Sequence, residues 1–138
     1  MQAEAVRALR ALPEFGRLFT LAGDMNAARR GPAMAAIAKA TGMAAGEPDL
    51  RVYIAGGRLG LVEFKTGAGR LSPAQRDRHA VLRRLGFTHL EVVKATTRHD
   101  AAERAVSVVR GWLAEQPEAA NDNQPSTVAP KEVEGDSM

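Results

Sequence analysis

The stretch EPDLRVYIAGGRLGLVEFKT, residues 47–66, decides the fold of this chain. It holds two runs rich in β-branched and large apolar residues, and a glycine pair, Gly56 and Gly57, lies between them. A glycine pair between two such runs is typical of a β-hairpin, because glycine adopts the positive φ angles of a tight turn. We therefore predict two antiparallel strands, 49–54 and 59–66.

Two charged residues, Glu63 and Lys65, lie in the second strand beside the apolar Val62 and Phe64. Because side chains alternate along a strand, the two charges share one face of the sheet. Burying a carboxylate and an ammonium is unfavourable unless each is paired or binds an ion. Either both side chains face solvent from a half-exposed sheet, or they belong to a functional site.

Asp49 opens the preceding strand, directly after Pro48. In an antiparallel hairpin centred on the glycine pair, Asp49 lies near Glu63 and Lys65. Two carboxylates this close repel each other without a cation, whereas with one they are hard oxygen ligands for Mg²⁺ or Mn²⁺. Lys65 could then hold a water molecule or offset charge on a phosphate in a transition state. The hairpin is therefore compatible with a divalent-metal site.

The rest of the chain predicts helices and strands that alternate around the hairpin. Such alternation indicates an α/β protein with a sheet covered by helices. Asp100 and Glu103 are candidate caps of the last helix, and Trp112 belongs to its apolar stripe and is expected in the core. The predicted helices are 3–12, 32–41, 73–85 and a last one that reaches residue 113, the predicted short strands are 17–21 and 89–93, and residues 23–31 are predicted to form an exposed loop.

The composition indicates one folded domain that stays in the cytoplasm. The chain has 138 residues, 45% of them apolar, and lacks an apolar run near the roughly 20 residues that cross a membrane. It contains no cysteine, which excludes disulfides, thiolate zinc sites and a cysteine nucleophile. Its first residues do not resemble a secretory signal. No membrane partner is expected.

Charge is divided unevenly along the chain. Residues 116–138 carry five acids and one base among many Pro, Asn and Ser residues, so we predict a disordered acidic tail. Because the whole chain carries +3, the predicted domain, residues 1–115, carries +7. This excess favours a polyanionic partner. Arginine-rich surfaces also arise from genomic base composition, so charge alone leaves both explanations open.

The order of these motifs resembles the PD-(D/E)xK nucleases. Pro48-Asp49 is followed fourteen residues later by Glu63-Phe64-Lys65. The wider context, GEPDL, GLVEFKTGAGRLSPAQ, LGFTHLEVVKA and AVSVVRGWL, is similar to the virus-type replication-repair nuclease (VRR-NUC) branch. The resemblance covers residues 4–113. It implies a restriction-endonuclease-like core, a mixed sheet flanked by helices, and a bacterial or phage-encoded enzyme.

The resemblance also implies a site. Asp49 and Glu63 would bind the catalytic Mg²⁺ or Mn²⁺, and the main-chain carbonyl of Phe64 would add a ligand. Lys65 would position the attacking water, and Gln75 would complete the site. No organic cofactor is implied.

Two of the implied residues have a second interpretation. An acidic residue on the first helix approaches the metal in this family, and Glu4 is the matching residue, yet Glu4 also suits the dipole of a first helical turn. Gln75 closes the S-x-x-Q pattern that begins at Ser72, so it could serve only as part of a capping box. His79, His89 and His99 lack the spacing of metal-ligand motifs, and we expect each to be a surface or core residue.

Four arginines are candidates for DNA contact: Arg29, Arg30, Arg70 and Arg76. The first two follow Asn26, where the family has a proline–asparagine turn, but the proline is missing here. For Arg76 a solvated helix face is the alternative.

The activity implied is hydrolysis of phosphodiester bonds in branched DNA, four-way junctions in particular, by a homodimer with two active sites. One alternative is a nuclease that acts on flap, duplex or single-stranded DNA. Another is a non-catalytic DNA-binding or assembly module that has kept the fold.

Overall fold

The computed structural model of the protein describes residues 1–23 and 31–115. Within these ranges helices and strands alternate, apart from two consecutive strands that form a hairpin. None of the helices there is long and apolar enough to cross a membrane. The helices are α1 (Gln2–Arg10), α2 (Gly31–Ala40), α3 (Pro73–Arg84) and α4 (Arg98–Ala114), and the strands are β1 (Phe19–Gly23), β2 (Leu50–Ile54), β3 (Arg58–Thr66) and β4 (Leu90–Ala95).

The strands form one mixed sheet in the order β1-β2-β3-β4. β1 pairs with β2 and β2 with β3 in antiparallel directions, whereas β3 and β4 are parallel. Helix α3 lies in the connection between the two parallel strands, since a tight turn cannot join parallel neighbours. The predicted hairpin and the predicted α/β class, with helices flanking a mixed sheet, are confirmed.

The main hydrophobic core lies on one face of the sheet. Helix α4 packs on β3 and β4, and α1 packs on α4. Trp112 of α4 is buried in this core, as predicted. Gly60 of β3 makes room for the Trp112 ring, because a Cβ on Gly60 would lie only 2.9 Å from Cη2 of Trp112. The buried members are Ala5, Leu9, Phe19, Leu50, Val52, Ile54, Val62, Val93, Ala105, Val109 and Trp112.

Helix α3 packs on the opposite face of the sheet. Leu82 of α3 forms a second, smaller apolar cluster with Leu61 of β3 and Leu90 of β4. Two polar side chains are also buried, His79 on α3 and Glu63 on β3. Because Glu63 is two residues from Leu61, it lies on the same face of β3. Polar groups are therefore enclosed between α3 and the sheet.

Strand and loop boundaries differ in places from the prediction. β1 begins at Phe19 and ends at Gly23, two residues later than the predicted 17–21, because its extent follows its pairing with β2. Gly23 therefore belongs to a strand and not to the predicted loop. The rest of that loop, 24–30, and the predicted tail, 116–138, lie outside the described residues.

The helix boundaries show one clear error in the prediction. Helix α4 is capped by Thr97, whose hydroxyl accepts the N–H of Asp100 at 3.0 Å. The predicted capping role of Asp100 and Glu103 is therefore wrong. Asp100 lies in the first helical turn, where its charge still suits the helix dipole.

Candidate functional site

The register of the hairpin brings Asp49 to the middle of the candidate site. Leu50 of β2 pairs with Val62 of β3, so Asp49, one residue earlier, lies opposite Glu63. Asp49 Oδ2 accepts the main-chain N–H of Phe64 at 2.8 Å, which fixes the carboxylate against β3. The predicted proximity of Asp49 to the segment 63–65 is confirmed.

Glu63 is enclosed beneath α3 and is only 1% exposed. Gln75 Nε2 donates to its Oε2 at 3.1 Å, and His79 Nε2 lies 3.4 Å from its Oε1. The interpretation in which Glu63 faces solvent is therefore wrong. Lys65, two residues on and on the same face of β3, is half-buried.

Gln75 belongs both to the capping box and to the candidate site, the two roles that the sequence allows for it. Its main-chain N–H donates to Ser72 Oγ, and its side-chain Oε1 accepts the N–H of Ser72, which completes a capping box at the start of α3. Its Nε2 remains directed at Glu63. The cap therefore orients the amide that contacts the buried carboxylate.

The segment before Asp49 is fixed to α3 by an ion-pair network that the sequence analysis missed. Glu47 accepts from Arg78 Nε of α3 at 2.7 Å and from Arg51 of β2 at 3.3 Å. Gly46 precedes it with a φ of +79° and lies against the main chain of Ala74. The sequence shows an acidic residue at position 47, but it does not show that Arg78 of α3 is the partner of Glu47, because that depends on where the helix packs.

His79 is a core histidine, one of the two alternatives predicted for it. Burial, and next the nearby Arg83, lower the pKa of His79 below its usual value. The lowered pKa favours the neutral form of the ring. Neither ring nitrogen has a hydrogen-bond partner within 1–23 and 31–115, although Nε2 faces Glu63.

A second lysine lies beside Lys65, and the sequence analysis did not single it out. The parallel register pairs Lys65 of β3 with Lys94 of β4, so both side chains leave the same face of the sheet. Lys94 is exposed. Directly paired like charges are destabilising unless an anion lies between them. Only the register of β4 reveals this pair, since 29 positions separate the two lysines in the sequence.

Glu4 is less clearly part of the site. It is half-exposed and forms an ion pair with Arg7 in the next turn of α1. Nearby, Gln2 Nε2 donates to the main-chain carbonyl of Asp49 at 3.3 Å, so the start of α1 does lie beside the site. Within the described ranges no hydrogen bond or ion pair joins Glu4 to Asp49. Its role as a metal ligand stays a prediction.

The arginines predicted to contact DNA fall into two groups. Arg70, between β3 and α3, and Arg76, next to Gln75 on α3, are exposed. Arg29 and Arg30 lie outside the described residues. Contact with DNA stays a prediction for all four.

The donor atoms of the site fit a hard cation. Among the described residues no group of three or more His, Asp or Glu side chains is arranged to hold a metal ion. Asp49 and Glu63 nevertheless supply two carboxylates, and Asp49 Oδ1 accepts no hydrogen bond within those ranges. Mg²⁺ binds proteins through one or two carboxylates and keeps several water molecules. The residues therefore fit Mg²⁺ or Mn²⁺ better than a metal that needs a full set of side-chain ligands.

Comparison of the chain with protein-family models, with curated proteins and with solved structures found no match. The resemblance to VRR-NUC nucleases therefore depends on the motifs in the sequence. The structure adds the contacts that those motifs make.

Proposed function

We propose that the protein is a metal-dependent DNA endonuclease of the VRR-NUC branch, built on a restriction-endonuclease-like core. The observation that carries the proposal is the register of β2 and β3. It sets Asp49 opposite Glu63, with Lys65 on the same face of the sheet. Two carboxylates and an ammonium on one face of neighbouring strands are groups that can bind a cation beside a phosphate.

The roles of the side chains follow from their surroundings. When bound, Mg²⁺ or Mn²⁺ supplies a Lewis acid that polarises the phosphodiester. Asp49 and Glu63 would hold the ion, with the carbonyl of Phe64 as a further ligand. The Phe64 N–H and the Gln75 amide keep the two carboxylates in fixed orientations. Lys65 would orient the attacking water and offset negative charge on the phosphate.

The positive charge around the site supports a nucleic acid as substrate. Lys65 and Lys94 leave the same face side by side, and a phosphate between them would relieve their repulsion. Arg70 and Arg76 are exposed on the same connection between β3 and β4. We further propose that the DNA is branched and that a homodimer makes paired incisions. Both of these points depend on the resemblance of the sequence.

A cleavage assay tests the proposal directly. Purified protein is incubated with labelled four-way junction, flap, duplex and single-stranded DNA at one stated salt concentration, with Mg²⁺, Mn²⁺ or a chelator. We expect cleavage with either metal and none with the chelator, with the junction cut fastest. Asp49→Asn and Lys65→Ala should each abolish cleavage.

Two variants of exposed residues control for charge. Asp77→Asn on α3 and Lys39→Ala on α2 remove the same charges at positions outside the site and should cleave as the wild type does. Undiminished cleavage by both Asp49→Asn and Lys65→Ala would disprove the proposed activity. Equal rates on duplex and junction DNA would disprove only the preference for branched DNA.

A non-catalytic DNA-binding module is the second candidate. It is favoured by the burial of Glu63, because a carboxylate that serves only to hold α3 on the sheet would make the same contacts with Gln75 and His79. Calorimetric titration with Mn²⁺ separates the two candidates. A nuclease should take up the metal in a manner that requires Asp49, whereas a binding module should not.

A further inference from the structure

His79 is a buried polar residue for which the mechanism above has no use. We propose that His79 is a positioning residue that, together with Gln75, holds the Glu63 carboxylate in one orientation for the metal. This inference rests on the proposed function. It assigns both buried polar side chains between α3 and β3, His79 and Glu63, to the same site.

The geometry of α3 supports this role. Gln75 and His79 are four residues apart and therefore project from the same side of the helix. Gln75 Nε2 approaches Oε2 of Glu63 at 3.1 Å, and His79 Nε2 approaches Oε1 at 3.4 Å. Each carboxylate oxygen therefore meets one nitrogen of α3, and a rotation of the carboxylate would disturb both contacts.

The burial of His79 argues against a role in packing alone. Leu82, one turn further on, packs into the apolar cluster with Leu61 and Leu90, and a leucine at position 79 would extend that cluster. Instead the chain places an imidazole there that is 1% exposed and whose two ring nitrogens both lack a hydrogen-bond partner within the described ranges. Burying an unpaired polar atom is unfavourable. The contact of Nε2 with Glu63 is the feature that distinguishes this imidazole from an apolar side chain.

At 3.4 Å, His79 Nε2 is a close polar neighbour of Glu63 Oε1 without forming a hydrogen bond to it. Groups that orient a metal ligand from behind typically change metal affinity by about 10- to 100-fold when removed. The expected effect of losing the His79 contact is therefore a weaker metal site in a folded protein.

Two polar substitutions separate orientation of Glu63 from filling of space. The amide nitrogen of a glutamine reaches the place of His79 Nε2, whereas that of an asparagine reaches only the place of Nδ1. We expect His79→Gln to bind Mn²⁺ within about threefold of the wild type and His79→Asn to bind at least tenfold more weakly. His99→Asn, at an exposed position of α4, is the matched control and should not change binding.

The experiment is a calorimetric titration of the full chain with Mn²⁺, with thermal unfolding to show that each variant is folded. Equal affinities of His79→Gln and His79→Asn would overturn the positioning role. Pulsed electron paramagnetic resonance of the Mn²⁺-loaded wild type and of His79→Gln is the second measurement. Coupling to a directly bound imidazole nitrogen that is lost in His79→Gln would make His79 a ligand and would also overturn the inference.

A separate variant distinguishes failure of the inference from failure of the proposed function. If the wild type and Asp49→Asn take up Mn²⁺ alike, or neither does, the proposed function is wrong and the inference falls with it. If uptake requires Asp49 but both His79 variants bind like the wild type, only the inference about His79 is wrong.

Discussion

Gly46→Ala should separate the segment that carries Asp49 from the start of α3. Gly46 has a φ of +79°, and a Cβ there would lie 2.8 Å from the main-chain nitrogen of Gln75 and closer still to the carbonyl of Ala74. Ordinary contacts of a Cβ begin at 3.4 Å. Because the atoms met are main-chain atoms, a side-chain rotation cannot relieve the clash. Either α3 or the segment 46–49 must move.

The expected loss of stability has two parts. A non-glycine residue in the left-handed region costs about 1–2 kcal/mol. Overpacking against a rigid neighbour adds about 1–3 kcal/mol. The free energy of unfolding should therefore fall by about 2–5 kcal/mol, the sum of the two parts. A displacement near 1 Å at a catalytic group can lower the rate by about 100-fold, so DNA cleavage by the folded fraction should fall steeply.

Gly57→Ala is the matched control for this substitution. Gly57 has nearly the same φ, +75°, but a Cβ there would meet nothing within 4 Å. It should show the conformational cost alone, about 1–2 kcal/mol, and normal cleavage. Urea unfolding at neutral pH and the junction assay measure the two effects. If Gly46→Ala lost no more stability than Gly57→Ala and cleaved DNA normally, the close packing of segment 46–49 against α3 would not be needed for the site.

Three further predictions test other contacts. Ser72→Ala should lower the free energy of unfolding by about 1 kcal/mol through loss of the cap and leave the cleavage rate nearly unchanged. Gln75→Ala should also slow cleavage at least tenfold. Equal cleavage rates of the two variants would show that the Gln75 amide has no role in the site. Lys94→Ala should weaken DNA binding measured in the presence of a chelator, and it should reduce the slope of log affinity against log salt concentration by about 1. Fluorescence anisotropy titrations measure both quantities. An unchanged slope would exclude a contact between Lys94 and a phosphate. The hydrogen bonds from Arg110 hold the pKa of Glu14 below its usual value. The stabilisation from Glu14 should therefore be present above the unfolded-state pKa of about 4.3 and disappear as the pH falls through the lower folded-state value. Urea unfolding of wild type and Glu14→Gln at pH values on both sides of this window should show a difference only at the higher pH, and a difference that persists in acid would contradict this account.

The parts of the site predicted from the sequence are those fixed by local rules. Gly56 and Gly57 fix the hairpin, and a hairpin fixes the register of its strands. These local rules are enough to predict that Asp49 lies near Glu63, without any knowledge of where the helices pack. The capping box at Ser72 and Gln75 was equally visible, because its two members are three residues apart.

The missed contacts depend on how distant segments pack. His79 contacts Glu63 only because of the way α3 packs on β3. The sequence around His79 has no metal-ligand spacing that would predict this contact. The pairing of Lys65 with Lys94 needs the register of two parallel strands, which no turn residue sets. The same reason explains the shift of β1, whose ends follow its hydrogen bonds to β2.

The double role of Gln75 has a consequence for how the chain folds. Its bonds with Ser72 span three residues and can form while the rest of the chain is still unfolded. Its bond with Glu63 spans twelve residues and can form only when α3 settles on the sheet. A helix that docks with this capping box formed presents the amide toward Glu63. One side chain therefore joins a local contact to a long-range one, so that each contact favours the other.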